Sequence, residues 1–154
     1  MSHNQATQEH MNLPLFAKLV KDRAGLIISA ENDTTLCKAI QSRMLGRGID
    51  SHSQYYKLLE SSLDETHMLI ELLTVNETYF FRENEHYDLF ANKLFPCLLE
   101  KTCRTEKIKI LSAGCSSGEE PYSIAITLLE KYGTDILREV SIFGCDINQS
   151  VLEK

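Results

Sequence analysis

The strongest constraint on the fold is a short apolar run followed by small residues, two acids and an apolar helix. Ile108 to Leu111 reads IKIL, typical of a buried strand, and SAGCSSGEEPYS follows at Ser112 to Ser123. Helical spacing then covers Glu119 to Tyr132, and VSIFGC at Val140 to Cys145 is a second strand. Strand, helix and strand in this order predict a βαβ unit with parallel strands.

A single βαβ unit is a small part of an α/β sheet. Parallel strands need cover on both faces and normally several neighbours. The closing residues NQSVLEK indicate the start of another helix. We therefore expect the front part of a larger α/β domain, truncated at its C-terminus. Its free strand edge is expected to favour non-native dimerisation, because unpaired strands recruit partners.

The segment before the strands has a helical pattern throughout, which predicts a small all-α bundle. Expected helix boundaries are a stop at Gly25, a start at Asn32 or Asp33, stops at Gly46 and Gly48, and starts at Ser51 or Ser53 and at Asp64. A further helix is expected near Glu85, interrupted by Pro96. The predicted division is a flexible N-terminus at 1–12, a helical domain at 13–75, a linker and helix carrying NETYFFR at 76–107, and an incomplete α/β domain at 108–154.

Charge and composition exclude several classes of protein. The net charge is −6, which argues against a general nucleic-acid binder. No apolar run reaches the roughly 20 residues of a membrane helix, and MSHNQATQEHM lacks the features of a signal peptide. We expect a cytoplasmic protein without membrane insertion. The five cysteines form no CxxC pair, which predicts reduced thiols rather than a metal site.

The loop after the first strand is the candidate ligand site, since open α/β sheets bind ligands beyond the carboxyl ends of their strands. Gly114 and Gly118 are spaced as GxxxG, which is not the GxGxxG fingerprint of dinucleotide binding. Glu119 and Glu120 favour a cationic or neutral ligand, although acids are also common in a first helical turn. Asp146 is either an acceptor for two ribose hydroxyls or an ordinary residue at a strand end.

Three motifs together resemble the CheR-type chemotaxis receptor methyltransferases. They are TVNETYFFRENEHY at Thr74 to Tyr87, ILSAGCSSGEEPYSIAI at Ile110 to Ile126, and GCDIN at Gly144 to Asn148. The helical segment, with its phrase GIDSHSQYYKLL, also resembles the N-terminal domain of that family. The resemblance implies a Rossmann-like fold and methyl transfer from S-adenosylmethionine to glutamyl carboxylates on the cytoplasmic helices of chemoreceptors. The products would be glutamate methyl esters and S-adenosylhomocysteine.

The resemblance also implies site residues. The cofactor-binding set would be Asn76, Thr78, Arg82, Gly114, Glu120 and Asp146. Glu119 is interpreted as a helix-start residue, and Asn76 and Thr78 could alternatively cap a helix. The acceptor carboxylate is ionised at pH 7, so no general base is needed, and alignment and exclusion of water can supply catalysis. Arg82 would orient that carboxylate, unless it only pairs with Glu83 or Glu85 on the surface.

A second candidate site is the basic stretch that contains Lys38, Arg43 and Arg47. No acid lies between Asp33 and Asp50. In the resembled family a positive face of this domain meets the acidic receptor helices, while the alternative is an ordinary solvated helix face. Two rival functions remain for the chain: a module of the same family that binds a receptor or partner without methyl transfer, and a nicotinamide-dependent oxidoreductase. The missing GxGxxG counts against the second rival.

Overall fold

The computed structural model describes residues 11–102 and 106–153 of the chain. It divides into two compact units, one up to Thr74 and one from Val75. Most of the N-terminal segment predicted to be flexible, residues 1–10, lies outside the described residues, as does Cys103.

The first unit is a bundle of α-helices, which confirms the predicted all-α segment. Its helices are α1 (Leu13–Ala24), α2 (Asp33–Arg47), α3 (His52–Ser61) and α4 (Leu63–Glu71), with a 3₁₀ turn at Ala30–Asn32 before α2. Gly25 ends α1 in the left-handed region, with φ +70°, and its N–H donates to the carbonyl of Lys21. A left-handed residue after a helix is a frequent stop because glycine adopts it without steric cost.

The start of α4 corrects one sequence prediction. Asp64 was predicted to cap this helix, but Ser62 does so: its hydroxyl accepts the backbone N–H of Glu65 at 3.2 Å. Asp64 lies inside the first turn instead. A carboxylate there is stabilised by the positive end of the helix dipole without acting as a cap. The predicted start at Ser51 is confirmed, because its hydroxyl accepts the N–H of Gln54.

Buried apolar side chains from all four helices form the core of this unit. Fully or almost fully buried members are Phe16, Val20, Leu36, Ile40, Tyr55, Leu59, Leu69 and Ile70. Burial of apolar area at this scale supplies most of the stability of a helical bundle, since single helices of this length are marginal in water.

The second unit contains the predicted βαβ arrangement. Its elements are α5 (Asn84–Leu89), a π-helical turn (Phe90–Leu94), α6 (Phe95–Lys101), β1 (Ile108–Ala113), α7 (Glu119–Tyr132), α8 (Ile136–Glu139), β2 (Val140–Cys145) and α9 (Gln149–Leu152). The strands are parallel, with Ile108 opposite Val140 and Ala113 opposite Cys145. The bounds predicted for α7 and β2 agree with the structure.

Alternate residues of the two strands lie on opposite faces of the sheet. One face contributes Ile108 and Val140 to a core with Phe95, Leu128 and Ile136. On the other face Leu111 is 65% exposed and lies opposite Phe143, which is 53% exposed. In the described residues this sheet has two strands. The predicted dimerisation through a free strand edge stays a prediction.

Pro96 does not interrupt its helix, contrary to the sequence prediction. The N–H of Phe95 donates to the carbonyl of Phe90, five residues earlier, and so widens the turn before the proline. Pro96 then occupies the first turn of α6, where a missing N–H costs nothing. The helical segment therefore continues into α6, where Phe95 is fully buried.

Candidate functional site

The loop that follows β1 is hydrogen-bonded to the carboxyl end of β2. The N–H groups of Gly114 and Cys115 both donate to the carbonyl of Cys145, at 2.7 and 3.0 Å. Gly114 has φ +80° and Gly118 has φ +104°, so both need the left-handed region that glycine tolerates. The GxxxG spacing is thus explained by backbone conformation, and it places the loop at the carboxyl end of the sheet.

Ser116 connects this loop to the other two motifs. Its N–H donates to Oδ2 of Asp146 at 2.8 Å, and its hydroxyl donates to the backbone carbonyl of Asn76 at 3.0 Å. The residue is buried, and its φ of +48° is unusual for a side chain other than glycine. Asp146 also accepts the N–H of Asn148 through Oδ1. One serine therefore joins the three segments whose order defined the resemblance.

The two acids at the start of α7 have different surroundings. Both carboxylate oxygens of Glu119 accept from the hydroxyl of Ser117, as expected of a helix-start residue. Glu120 accepts from the hydroxyl of Ser112 at 2.7 Å, and Ser112 is a buried residue of β1. Glu119 is thus bonded to the loop residue just before its helix, whereas Glu120 is bonded to a residue of the sheet.

A second serine fixes the segment that carries Arg82. The hydroxyl of Ser123, fully buried in α7, accepts the N–H of Phe81 at 3.0 Å and donates to the carbonyl of Glu119. Phe81 and Glu83, on either side of Arg82, have φ of +57° and +58°. Non-glycine residues held in this region cost free energy and often mark functional segments.

The guanidinium of Arg82 is held by its own segment. Nη1 donates to the carbonyl of Glu77 at 3.2 Å, and the guanidinium carbon lies 5.9 Å from the centre of the Tyr79 ring. No ion pair between Arg82 and Glu83 or Glu85 occurs among the described side chains. The surface pairing considered for Arg82 is absent from the described part of the chain.

These segments enclose a cavity of about 280 Å³. Four of the six predicted cofactor residues line it: Thr78, Arg82, Gly114 and Glu120. The other two, Asn76 and Asp146, contact Ser116, which is itself a lining residue. Sequence reasoning missed Ser116, and it also missed His86 and Tyr87, which complete one wall.

The cavity is predominantly acidic. Its lining includes three glutamates, Glu77, Glu83 and Glu120, and one arginine, Arg82. Burial raises the pKa of the Tyr87 hydroxyl, a hydrogen bond with Ser123 opposes this rise, and the charge of Glu120 adds to it. The excess of acidic over basic residues in this lining favours a cationic ligand over a phosphate.

Cys115 is a buried residue of the loop, and its side chain packs against Gly144 of β2. Burial raises the pKa of its thiol, and the negative charge of Asp146 adds to this rise. A methyl group added at Gly144 would lie 2.8 Å from the Cys115 Sγ. The thiol is therefore a packed, protonated group, and the absence of a side chain at Gly144 makes room for it.

The second candidate site is organised around a buried acid in the helical unit. Glu65 is fully buried, and Arg43 binds both of its oxygens, from Nε at 2.8 Å and from Nη2 at 2.7 Å. Nε of Arg47 donates to Oε2 at 2.5 Å, and the Tyr55 hydroxyl donates to Oε1 at 3.1 Å. Burial alone would raise the pKa of Glu65, but the bonds from Arg43 and Arg47 outweigh it and lower the pKa.

The three basic residues predicted to contact a receptor do not share one face of α2. Arg43 and Arg47 continue the row of Leu36 and Ile40 at spacings of three and four residues, on the buried side of the helix. Lys38 is exposed and lies outside that row. The Arg43 side chain is 18% exposed and that of Arg47 is 48% exposed. Arg43 is thus mainly a partner of Glu65, while Lys38 and part of Arg47 face solvent.

Across 11–102 and 106–153, no group of three His, Cys, Asp or Glu side chains is placed to hold a metal ion. In the same ranges every helix is too short or too polar to cross a membrane.

Known proteins resemble the chain along almost its whole length. Residues 11–74 match the CheR methyltransferase all-alpha domain, and residues 76–154 match the CheR methyltransferase SAM binding domain. A chemotaxis protein methyltransferase of Borreliella burgdorferi is 37% identical over 89% of this chain and 50% of its own length. The Escherichia coli chemotaxis protein methyltransferase is 34% identical, over 90% of this chain and 46% of its own length.

A third relative is named for a different process. The probable biofilm formation methyltransferase WspC of Pseudomonas aeruginosa is 34% identical over 90% of this chain and 32% of its own length. The chain spans about half, or less, of the length of these curated relatives. The two family matches show that the chain belongs to the CheR methyltransferase family. Its first part matches the all-alpha domain of that family, and the part that follows matches the SAM binding domain.

Proposed function

We propose that this protein methylates side-chain carboxylates of glutamyl residues on the cytoplasmic helices of chemoreceptors. S-adenosylmethionine is the proposed methyl donor, and glutamate methyl ester and S-adenosylhomocysteine are the products. The reaction removes one negative charge from the receptor and takes place in the cytoplasm. Chemotaxis methyltransferases among the relatives support this proposal, as does the match to a SAM binding domain.

The observation that carries the proposal is the acidic cavity between the NETYFFR segment and the loop after β1. Glu77, Glu83 and Glu120 outnumber Arg82 in its lining, which favours a sulfonium cation. Gly114 lets the backbone approach a ligand closely because it has no side chain. The residues present therefore fit S-adenosylmethionine, and Asp146 at the end of β2 would accept from its ribose.

Asp146 has capacity for that role beyond its loop contacts. Each carboxylate oxygen accepts one backbone N–H, from Ser116 or from Asn148. An ionised carboxylate offers about four acceptor positions, so it can accept from ribose hydroxyls as well as from these backbone groups. The same side chain would then shape the loop and bind the cofactor.

Arg82 is the proposed catalytic residue. When bound, S-adenosylmethionine supplies an electrophilic methyl group on its sulfur. The acceptor glutamate has an ordinary pKa of about 4.3 and is already ionised at pH 7, so the protein needs no base. The Arg82 fork would orient the carboxylate toward the methyl group, and the surrounding walls would exclude water.

A second function within the family is binding without methyl transfer. Its support is the exposed face of the sheet at Leu111 and Phe143, an apolar surface that a partner could cover. In this case Lys38, Arg43 and Arg47 would form the receptor contact.

Analytical ultracentrifugation separately checks the predicted dimerisation: a concentration-independent monomer would contradict it.

The test is an assay for ester formation with a chemoreceptor cytoplasmic fragment as acceptor. The protein, S-adenosylmethionine and the fragment are incubated, and alkali-labile methyl groups are quantified by mass spectrometry. A matched fragment with its acceptor glutamates replaced by glutamine is the negative control, and the Escherichia coli relative is the positive control. Methyl ester on the first fragment alone supports the proposal. Binding of the fragment without ester supports the non-catalytic alternative.

A further inference from the structure

Two uncharged groups hold the side chain of Arg82. Its Nη1 donates to the backbone carbonyl of Glu77 at 3.2 Å, and its guanidinium carbon lies 5.9 Å from the centre of the Tyr79 ring. The second distance is within the roughly 6 Å over which an aromatic face attracts a cation. Because neither partner carries a charge, these contacts fix the guanidinium without neutralising it.

The acidic cavity offers Arg82 three charged partners that it does not use. Glu77, Glu83 and Glu120 line this cavity together with Arg82. Among the ion pairs of the described residues, none involves Arg82. An arginine side chain has several freely rotating bonds, so contacts that restrict it are needed to keep it away from nearby acids. In the described part of the chain, the carbonyl and the ring supply those contacts.

The backbone at Arg82 is fixed separately. The N–H of Phe81 donates to the hydroxyl of Ser123 at 3.0 Å, and Phe81 and Glu83 both have positive φ. A fixed backbone decides where the Arg82 side chain begins. Where its guanidinium ends depends on the side-chain torsions, and these are the torsions that the contact with Tyr79 restricts.

One edge of the guanidinium remains available. Nε and Nη2 of an arginine form a planar fork that matches both oxygens of a carboxylate. The carbonyl of Glu77 uses Nη1, which has its second N–H on the other side. Among the described residues, Nε and Nη2 of Arg82 have no hydrogen-bond partner. A carboxylate can therefore bind this edge while the Tyr79 ring and the Glu77 carbonyl stay in place.

We propose that Tyr79 is a positioning residue for Arg82: its ring holds the guanidinium so that the edge of Nε and Nη2 binds the carboxylate of the acceptor glutamyl residue. This inference rests on the proposed function and deepens it. Tyr79 and Arg82 both line the cavity proposed for the methyl donor, so the carboxylate and the donor would share one cavity. Without the ring, Arg82 would be free to pair with a glutamate of the same lining.

The contact itself is tested by NMR of the chain labelled with ¹³C and ¹⁵N in its arginines. Arg82→Lys removes the Arg82 Nε–H signal and so assigns it. Tyr79→Leu should move this signal toward the position of free arginine, because the ring current is lost, whereas Tyr79→Phe should leave it in place. Tyr122→Leu is the matched control, since Tyr122 is exposed and lies outside the lining of the cavity. Thermal melts check that each variant is folded.

Binding of a carboxylate is read from the same signal. N-acetyl-glutamate α-amide is the probe, and N-acetyl-glutamine α-amide, which lacks the charge, is the control ligand; each is titrated with and without saturating S-adenosylhomocysteine. We expect the glutamate probe alone to shift the Arg82 signal saturably under both conditions. Tyr79 is 54% exposed, so Tyr79→Leu should weaken this binding about threefold, as expected for one exposed cation–π contact, and Tyr79→Phe should restore it.

Four results would overturn the inference. Two concern the contact: an Arg82 signal that Tyr79→Leu leaves unmoved, or an equal weakening of the glutamate probe by Tyr122→Leu. Two concern the ligand: a response to the glutamate probe that is absent or no larger than that to glutamine, or a response that S-adenosylhomocysteine abolishes, since the carboxylate of the cofactor would then occupy Arg82. Failure of S-adenosylhomocysteine to bind would contradict the proposed function instead, and the Tyr79 variants are still compared without it.

Discussion

The backbone N–H of Ser116 lies 2.8 Å from Oδ2 of Asp146, thirty residues further along the chain. The serine hydroxyl binds the carbonyl of Asn76 at the same time. Because Asp146 is the acid proposed to bind ribose, loop conformation and cofactor binding depend on the same carboxylate. A change at Ser116 should therefore affect a ligand that its side chain need not touch.

Ser116→Ala should weaken binding of S-adenosylhomocysteine about fivefold, which corresponds to one hydrogen bond of about 1 kcal/mol. The variant keeps the N–H bond to Asp146 and loses only the hydroxyl bond to Asn76. Isothermal titration calorimetry measures the affinity. Ser117→Ala is the matched control, since its exposed hydroxyl contacts Glu119. Equal affinities for the two variants would contradict a linking role for Ser116.

Glu65 should make the helical unit sensitive to acid. Its folded pKa is lowered, so its contribution is complete above the unfolded value of about 4.3 and is lost as pH falls through the folded pKa. Glu65→Gln should cost about 3 kcal/mol at pH 7, as expected for breaking a buried ion pair, and should flatten the decline below about pH 4.3.

Chemical denaturation followed by circular dichroism between neutral pH and pH 3 measures this effect. Glu60→Gln, at an exposed position of α3, is the control and should keep the acid dependence of the parent chain. A Glu65→Gln variant with the same pH dependence as the parent would show that other carboxylates cause the acid sensitivity.

Gly144→Ala should destabilise the α/β unit by about 1–3 kcal/mol, in the range for overpacking. The added methyl group would lie 2.8 Å from the Cys115 Sγ and 3.3 Å from its Cβ. Cys115→Ala in the same chain removes the sulfur, so the double variant should recover part of the loss. Thermal denaturation of the single and double variants gives the coupling, and strictly additive effects would refute the steric cause.

Lys38→Glu should weaken binding to an acidic chemoreceptor helix about fivefold without lowering stability, because Lys38 is exposed. Arg47→Ala should lower both the affinity for the receptor helix and the stability of the helical unit, since Arg47 also binds Glu65. Binding is measured by calorimetry at two salt concentrations, because contacts between exposed charges weaken with ionic strength. Lys57→Glu on α3 is the control, and an identical loss there would remove the case for a specific basic contact.

Local sequence signals predicted the parts of the fold that are determined locally. The bounds of α7 and β2 follow from apolar spacing and from Gly133, and the stop of α1 follows from Gly25. Pro96 was misread because the π-helical turn before it depends on a backbone bond between Phe95 and Phe90, which leaves no residue pattern. Boundaries that depend on such rearrangements need the structure.

The candidate site shows the same division. Thr78, Arg82, Gly114 and Glu120 belong to motifs, and the structure brings them to one cavity. Ser116 was missed because its role lies in contacts with residues thirty and forty positions away. The bonds of Arg43 to Glu65 were missed for a related reason.

Proximity along α2 does not reveal which side of a helix is buried. Arg43 and Arg47 lie on the buried side because Glu65 on another helix holds them there. Glu65 follows Asp64 in the sequence, and nothing in this pair of acids indicates that the second will be fully buried. Burial of an acid is expected only when such partners surround it.

The most direct test of the central claim is a calorimetric titration of S-adenosylhomocysteine into the chain and into its Asp146→Ala variant. Glu120→Gln serves as a second site variant, and Glu130→Gln, an exposed position on the same helix, is the control. The prediction is binding by the parent and the control, loss of binding with Asp146→Ala, and weaker binding with Glu120→Gln. Binding that is unaffected by Asp146→Ala and Glu120→Gln would contradict the assignment of this cavity as the cofactor site.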